Sequence, residues 1–160
     1  MPDVKTLYDE DFLEWSKEQA EALRAAERGG PNLTLDWGNL AEEIEGLGSS
    51  EKRELRSRIQ RIIRHLLKLE YSTATEPRRS WDDSVDDARG EIDLLLKYSP
   101  SLAREIPSII SEEFVRGSRR ALRDLEKYCE LDPTAATRIR ATTYTTEQIL
   151  GDWFPPEPQA

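Results

Sequence analysis

From Leu55 to Leu69 the apolar residues Leu55, Ile59, Ile62, Ile63, Leu66 and Leu69 return every three or four positions. On a helical projection they fall within about 120° of arc, the stripe of an amphipathic α-helix. Alternation of period two, which a half-buried strand requires, is nowhere long enough to propose one. Other segments repeat the helical pattern. Phe12, Trp15, Gln19, Ala22, Leu23 and Ala26 recur at helical spacing, opened by an Asp11/Glu14 capping pair and closed by Gly29-Gly30-Pro31. Asp36 caps a shorter helix carrying Trp37, Leu40, Ala41, Ile44 and Leu47 on one face, which Gly46 and Gly48 end or bend, and Ser49 or Ser50 starts the next.

Further along, Ser80 and Asp83 form a capping box before Trp81, Val85, Ala88, Ile92, Leu95 and Leu96. That helix stops at Ser99-Pro100, and a short turn runs through Ile106. Pro107 then opens a long helix with Ile110, Phe114, Ala121, Leu125 and Tyr128 facing inward. Pro133 to Ala141 is a weaker helical stretch, and Thr145-x-x-Gln148 caps a last turn. The reading is an all-α, single-domain helical bundle of about five to seven helices over residues 1–151, followed by a proline-rich tail at 152–160.

Composition narrows the function. The 32 Asp and Glu against 23 Lys and Arg give a net charge of −9, which repels nucleic acid and anionic membrane. Cys129, the one cysteine, excludes an internal disulfide and a cysteine metal cluster, and reads as a small apolar residue near a helix end. With no apolar h-region at the start and no apolar run beyond three residues, the expectation is a cytoplasmic chain without signal peptide or membrane span.

Several phrases resemble a known family when taken in order: Tyr8-Asp9-x-Asp11-Phe12 through Trp15 and Gln19; Asn39-Leu40 with Glu42-Glu43-Ile44-Glu45-Gly46-Leu47-Gly48; His65-Leu66-Leu67-Lys68; Ser80-Trp81; Arg89 with Ile92; and Ser99-Pro100-Ser101-Leu102. The resemblance is to the prokaryotic family called domain of unknown function twenty-nine, and it spans nearly the whole chain. It implies an all-helical fold and brings no catalytic residue or cofactor. Members commonly carry a Cys-Pro-Tyr sequence where this chain has Arg140-Ala141-Thr142-Thr143-Tyr144, so no role for that cysteine carries over.

The strongest functional hint is a segregation of charge. Lys52 to Lys68 holds seven Lys or Arg and one Glu, a net +6 that leaves −15 for the rest. Arg53, Arg61, Arg64 and Lys68 lie opposite the apolar stripe. Either the acidic fourth helix, with Asp82, Asp83, Asp86, Asp87, Glu91 and Asp93, neutralises them, or they form a binding face. An acidic protein partner is favoured there over nucleic acid, because a net charge of −9 works against a polyanion, and with no aromatic rings among the cations a single-strand stacking platform is not supported. Homo-oligomer formation is left open.

Other constellations have ordinary explanations beside the chemical ones. His65, the sole histidine, is a general acid or base, a metal ligand, or a hydrogen-bonded group at a helix contact. Glu42, Glu43 and Glu45 converge with His65 on a divalent ion only if two antiparallel helices bring them together; otherwise they are exposed glutamates. Asp82/Asp86 and Asp83/Asp87 suit acid and base work or magnesium, or simply favour a helix N-terminus. Gly46-Leu47-Gly48 lacks the third glycine and preceding strand of a phosphate loop. Trp153-Phe154-Pro155-Pro156 either enters a partner's groove or seals the end of its own bundle.

The expectation from sequence is therefore a non-catalytic interaction or regulatory module with no cofactor. The alternative is a hydrolase or nucleic-acid-processing enzyme whose candidate site is Glu43, His65, Trp81 and Arg89.

Overall fold

The structure is a computed structural model that describes residues 6–30, 34–128 and 131–158. Pro31 and Cys129 lie outside the described residues. Seven α-helices and one 3-10 helix, with no strand, make up the described residues: α1 (Leu7–Glu10), α2 (Phe12–Arg28), α3 (Trp37–Tyr71), α4 (Arg78–Tyr98), the 3-10 helix Pro100–Glu105, α5 (Ile106–Lys127), α6 (Ala135–Ala141) and α7 (Thr146–Leu150). The chain divides into two compact units, one of Met1–Leu55 with Leu94–Arg104, the other of Arg56–Asp93 with Glu105–Ala160.

Where two helices are expected around Gly46 and Gly48, α3 is one uninterrupted helix of 35 residues. Asp36 opens it as expected, its Oδ1 accepting from Asn39 N at 3.2 Å. Gly48 is in the helix for space, not for termination. A Cβ there would lie 2.2 Å from Ser16 Oγ and 2.8 Å from Leu13 Cδ1, so the missing side chain is what lets α2 approach. The left-handed conformation that ends a helix belongs to Gly30 instead, at φ 69°.

That close approach also corrects the face assigned to α2. Its buried residues are Leu13, Ser16 and Ala20, whereas Gln19 and Ala22 are exposed. Small residues make the tightest contact, and a search for large apolar ones misses them. Phe12 and Trp15 instead meet Tyr8 of α1 edge to face, at centroid distances of 5.7 Å and 4.8 Å from its ring. Leu40 and Leu47, also assigned inward, are exposed. Asp11 caps α2 through Glu14 N at 3.0 Å and accepts from Ser101 N at 2.7 Å, fastening the 3-10 helix to the start of α2.

In the second unit Ile59, Ile62, Ile63, Leu66 and Leu67 of α3 are wholly buried, together with Val85 and Ala88 of α4 and Ile109, Ala121 and Leu125 of α5. Each large side chain so buried contributes about 1.5–3 kcal/mol. Gly117 admits Ile63 at a distance its own Cβ would violate, 2.7 Å from Ile63 Cγ2. On α5 the expectation is half right: Ile110, Ala121 and Leu125 are buried, Phe114 is half-buried, and Tyr128 is exposed. α4 begins three residues earlier than expected, at Arg78 instead of Trp81, and Ser80 does not cap it; its hydroxyl donates to Pro77 O at 3.1 Å. Thr145 caps α7 by accepting from Gln148 N at 3.1 Å.

Candidate functional site

Of the residues named for an enzyme, Glu43 does not meet His65. Glu43 and His65 stand 22 positions apart on the single helix α3, about 33 Å of axial rise, so no one ligand or ion can touch both. The same geometry separates Glu42 and Glu45 from His65. Among the described residues no group of three or more His, Cys, Asp or Glu side chains could hold a metal ion.

Arg89, 7% exposed, is occupied with structure. Its Nε donates to Ile149 O at 2.9 Å, and its Nη2 donates to Gln148 O at 2.8 Å and Trp153 O at 2.7 Å. It thereby fills the carbonyls that α7 leaves orphaned at its C-terminus, and Phe154 covers its guanidinium at 4.8 Å. Trp153 packs on Tyr144 at 5.5 Å, so both aromatic residues after Gly151 seal the second unit. Trp81 is buried under Lys68 Nζ, 4.5 Å from its ring. His65 is half-buried with an unpartnered Nδ1. Burial, then the charges of Lys68 and Arg64, lower its pKa from 6.5 to about 4, so the ring is neutral at pH 7.

The basic stretch of α3 is largely neutralised, though not by the aspartates expected to do it. Arg64 Nε donates to Asp124 Oδ2 at 2.6 Å, and Lys68 Nζ lies 3.4 Å from the same oxygen. Burial alone would raise the Asp124 pKa, but the hydrogen bond and charge of Arg64, with Lys68, hold it below the ordinary value. Arg58 Nε is 2.6 Å from Glu91 Oε2, an ion contact without hydrogen-bond alignment, and Arg61 is 3.9 Å from it. Arg56 reaches Glu112, and also Glu113 at 3.2 Å. Arg53 is exposed.

Glu113 is the residue that sequence reasoning had no means of separating from Glu112. Its side chain is 2% exposed and accepts from Arg56, from Gln60 Nε2 at 2.8 Å and from Arg116 Nη1 at 2.9 Å. A buried carboxylate holds only with such partners.

A second basic surface lies on α5. Arg116, Arg119, Arg120 and Arg123 follow the i, i+3, i+4, i+7 spacing that makes one stripe, a signal present in the sequence but overshadowed by the charge density of α3. Arg119, Arg120 and Arg123 are exposed, and among the described residues no carboxylate lies within 4.0 Å of them. Like charges at these spacings cost about 0.2–0.5 kcal/mol per pair.

Beside the stripe opens a groove of about 650 Å³. Phe114, Val115 and Leu122 give it apolar walls, while Arg119, Arg123 and Arg140 supply cations, with Ser118, Thr143 and Glu126 completing it. Tyr144, the neighbour of Thr143, is pinned: its hydroxyl donates to Glu70, and its ring meets Phe114 at 5.6 Å. Burial and that bond raise the Tyr144 pKa beyond its ordinary range. On the other side of Arg119 and Arg123 are two polar clefts. One, about 250 Å³, is lined by Gln60, Arg116, Arg119, Arg120 and Arg123. The other, about 240 Å³, is lined by Arg64, Arg120, Arg123 and Asp124.

A helical protein whose charged and apolar surfaces meet in a groove is the class defined by this geometry. The family described as Domain of unknown function DUF29 matches residues 7–154, and the chain belongs to that family. Among solved structures it is similar to an alpha-helical protein of unknown function from Rhodospirillum rubrum, with 27% identity and a TM-score of 0.73 over 94% of this chain and 92% of that one. No curated protein matches the chain. No helix among the described residues is long and apolar enough to cross a membrane.

Proposed function

We propose that the chain is a non-catalytic interaction module of the prokaryotic cytoplasm, whose α5 groove docks an acidic, amphipathic segment of a protein partner. The observation that carries this reading is the presence of arginines without a carboxylate partner among the described residues, beside the exposed Val115 and half-buried Phe114, in a chain of net charge −9. Acidic residues are plentiful here, yet among the described residues none closes on Arg119 or Arg123. A partner carboxylate would relieve that repulsion, while Val115, 62% exposed, and Phe114 offer apolar surface to its neighbours. This moves the docking face from Arg53, Arg61, Arg64 and Lys68 of α3, of which the last three are paired and Arg53 alone is exposed, to α5. The enzymatic alternative loses its support because Glu43 is remote from His65 and Arg89 is bound to backbone carbonyls.

The test uses a synthetic amphipathic helical peptide with Leu on one face and Glu beside it, followed by calorimetry. Binding should weaken with added salt. Val115→Asp or Arg119→Glu should each lower affinity about tenfold or more. Affinity unchanged by both substitutions overturns the reading.

A further inference from the structure

We propose that the polar clefts beside the groove bind a phosphate monoester, carried as a phosphorylated side chain by the docked partner segment. This rests on the docking reading and adds the chemical mark by which the partner is chosen.

Three arginines without carboxylate partners sit within five consecutive positions of one helix, at 119, 120 and 123. A carboxylate brings a single charge. A phosphate monoester brings −1.5 to −2 and three acceptor oxygens, and the planar guanidinium fork matches it in bidentate fashion. Arg119, Arg120 and Arg123 all line the cleft of about 250 Å³, a space sufficient for that group. Arg119 and Arg123 also line the apolar groove, so they form the ridge between the two. A ligand reaching both therefore has a dianionic head and an apolar body, as a phosphorylated residue flanked by apolar ones does. Nucleic acid fits less well: the chain is net acidic and no aromatic ring lines either polar cleft for a base to stack on.

Arg120 separates this inference from the docking reading, because it lines both polar clefts and not the groove. The experiment compares the amphipathic peptide in three forms, with Ser, Glu or phosphoserine at one central position. The phosphoserine form should bind at least about tenfold tighter than the other two near neutral pH. That advantage should shrink below the second phosphate pKa of about 6. Arg120→Gln should abolish it while leaving the affinity of the Ser form unchanged.

Equal affinity of the phosphoserine and Glu forms, or an advantage that survives Arg120→Gln, overturns the phosphate assignment and leaves the docking reading standing. Failure of all three peptides to bind overturns the docking reading and the partner assignment with it. O-phosphoserine and inorganic phosphate, titrated alone, distinguish the source. Binding of either as tight as that of the phosphopeptide contradicts a protein partner and points to a free phosphorylated compound.

Discussion

Two basic stretches of the second unit, Arg56 to Lys68 on α3 and Arg116 to Arg123 on α5, have similar densities of cations and opposite fates. On α3 each cation finds an acid: Arg56 at Glu112 and Glu113, Arg58 and Arg61 at Glu91, Arg64 and Lys68 at Asp124. On α5 only Arg116 does, at Glu113. The difference teaches that the charge of a segment says little about its availability. What decides is which side chains the packing sets opposite it, and here α5 itself supplies three of the four acids that quench α3.

The largest expected effect comes from removing the acid common to both stretches. Glu113→Ala removes the buried acceptor shared by Arg56, Gln60 and Arg116, while Arg56 keeps Glu112 and Arg116 is open to water, so urea denaturation should show a loss of about 2–3 kcal/mol. A loss under 1 kcal/mol would mean that Glu113 does not organise the contact between the two stretches.

Next comes the pH dependence of His65, which lies among the cations of α3. Its native pKa of about 4 is below the unfolded value of 6.5, so the unfolded chain takes up the proton first. The contribution to stability is complete above pH 6.5 and is lost as pH falls from 6.5 toward 4. Because His65 is only half-buried, the discounted loss is about 1–2 kcal/mol. His65→Gln should flatten the midpoint-versus-pH curve in that window; an unchanged slope would assign it to other groups.

Asp124→Asn sharpens the comparison most directly, because it frees Arg64 and Lys68 and makes α3 resemble α5. The stability cost should be about 1 kcal/mol for this partly exposed network. Affinity for an acidic peptide should rise. The native Asp124 pKa is depressed, so its contribution is present above the unfolded carboxylate pKa and is lost as pH falls through the lowered native value. The substitution should therefore reduce the loss of stability at acid pH below the His65 window.

The parts of this molecule that were legible in sequence are those set by local periodicity. The stripe from Leu55 to Leu69 is buried as its spacing requires, and Asp11, Asp36 and Thr145 cap the helices they precede. What escaped depends on tertiary approach. Gly48 looks like a helix end until Ser16 is seen against it, and the small residues Ser16 and Ala20 carry the α2 contact that Gln19 and Ala22 were assigned. The site escaped for a related reason. Arg116-x-x-Arg119-Arg120-x-x-Arg123 was readable as a stripe, but only the positions of Glu91, Glu113 and Asp124 reveal which cations remain unpaired.

The comparison between the two stretches is tested most directly by reversing each in turn and titrating the same acidic amphipathic peptide by calorimetry. Arg119→Glu with Arg123→Glu should reduce affinity about tenfold or more with stability changed by under about 0.5 kcal/mol, whereas Arg58→Glu with Arg61→Glu should leave affinity within about twofold. Loss of binding from the α3 pair, with the α5 pair still binding, would contradict the account.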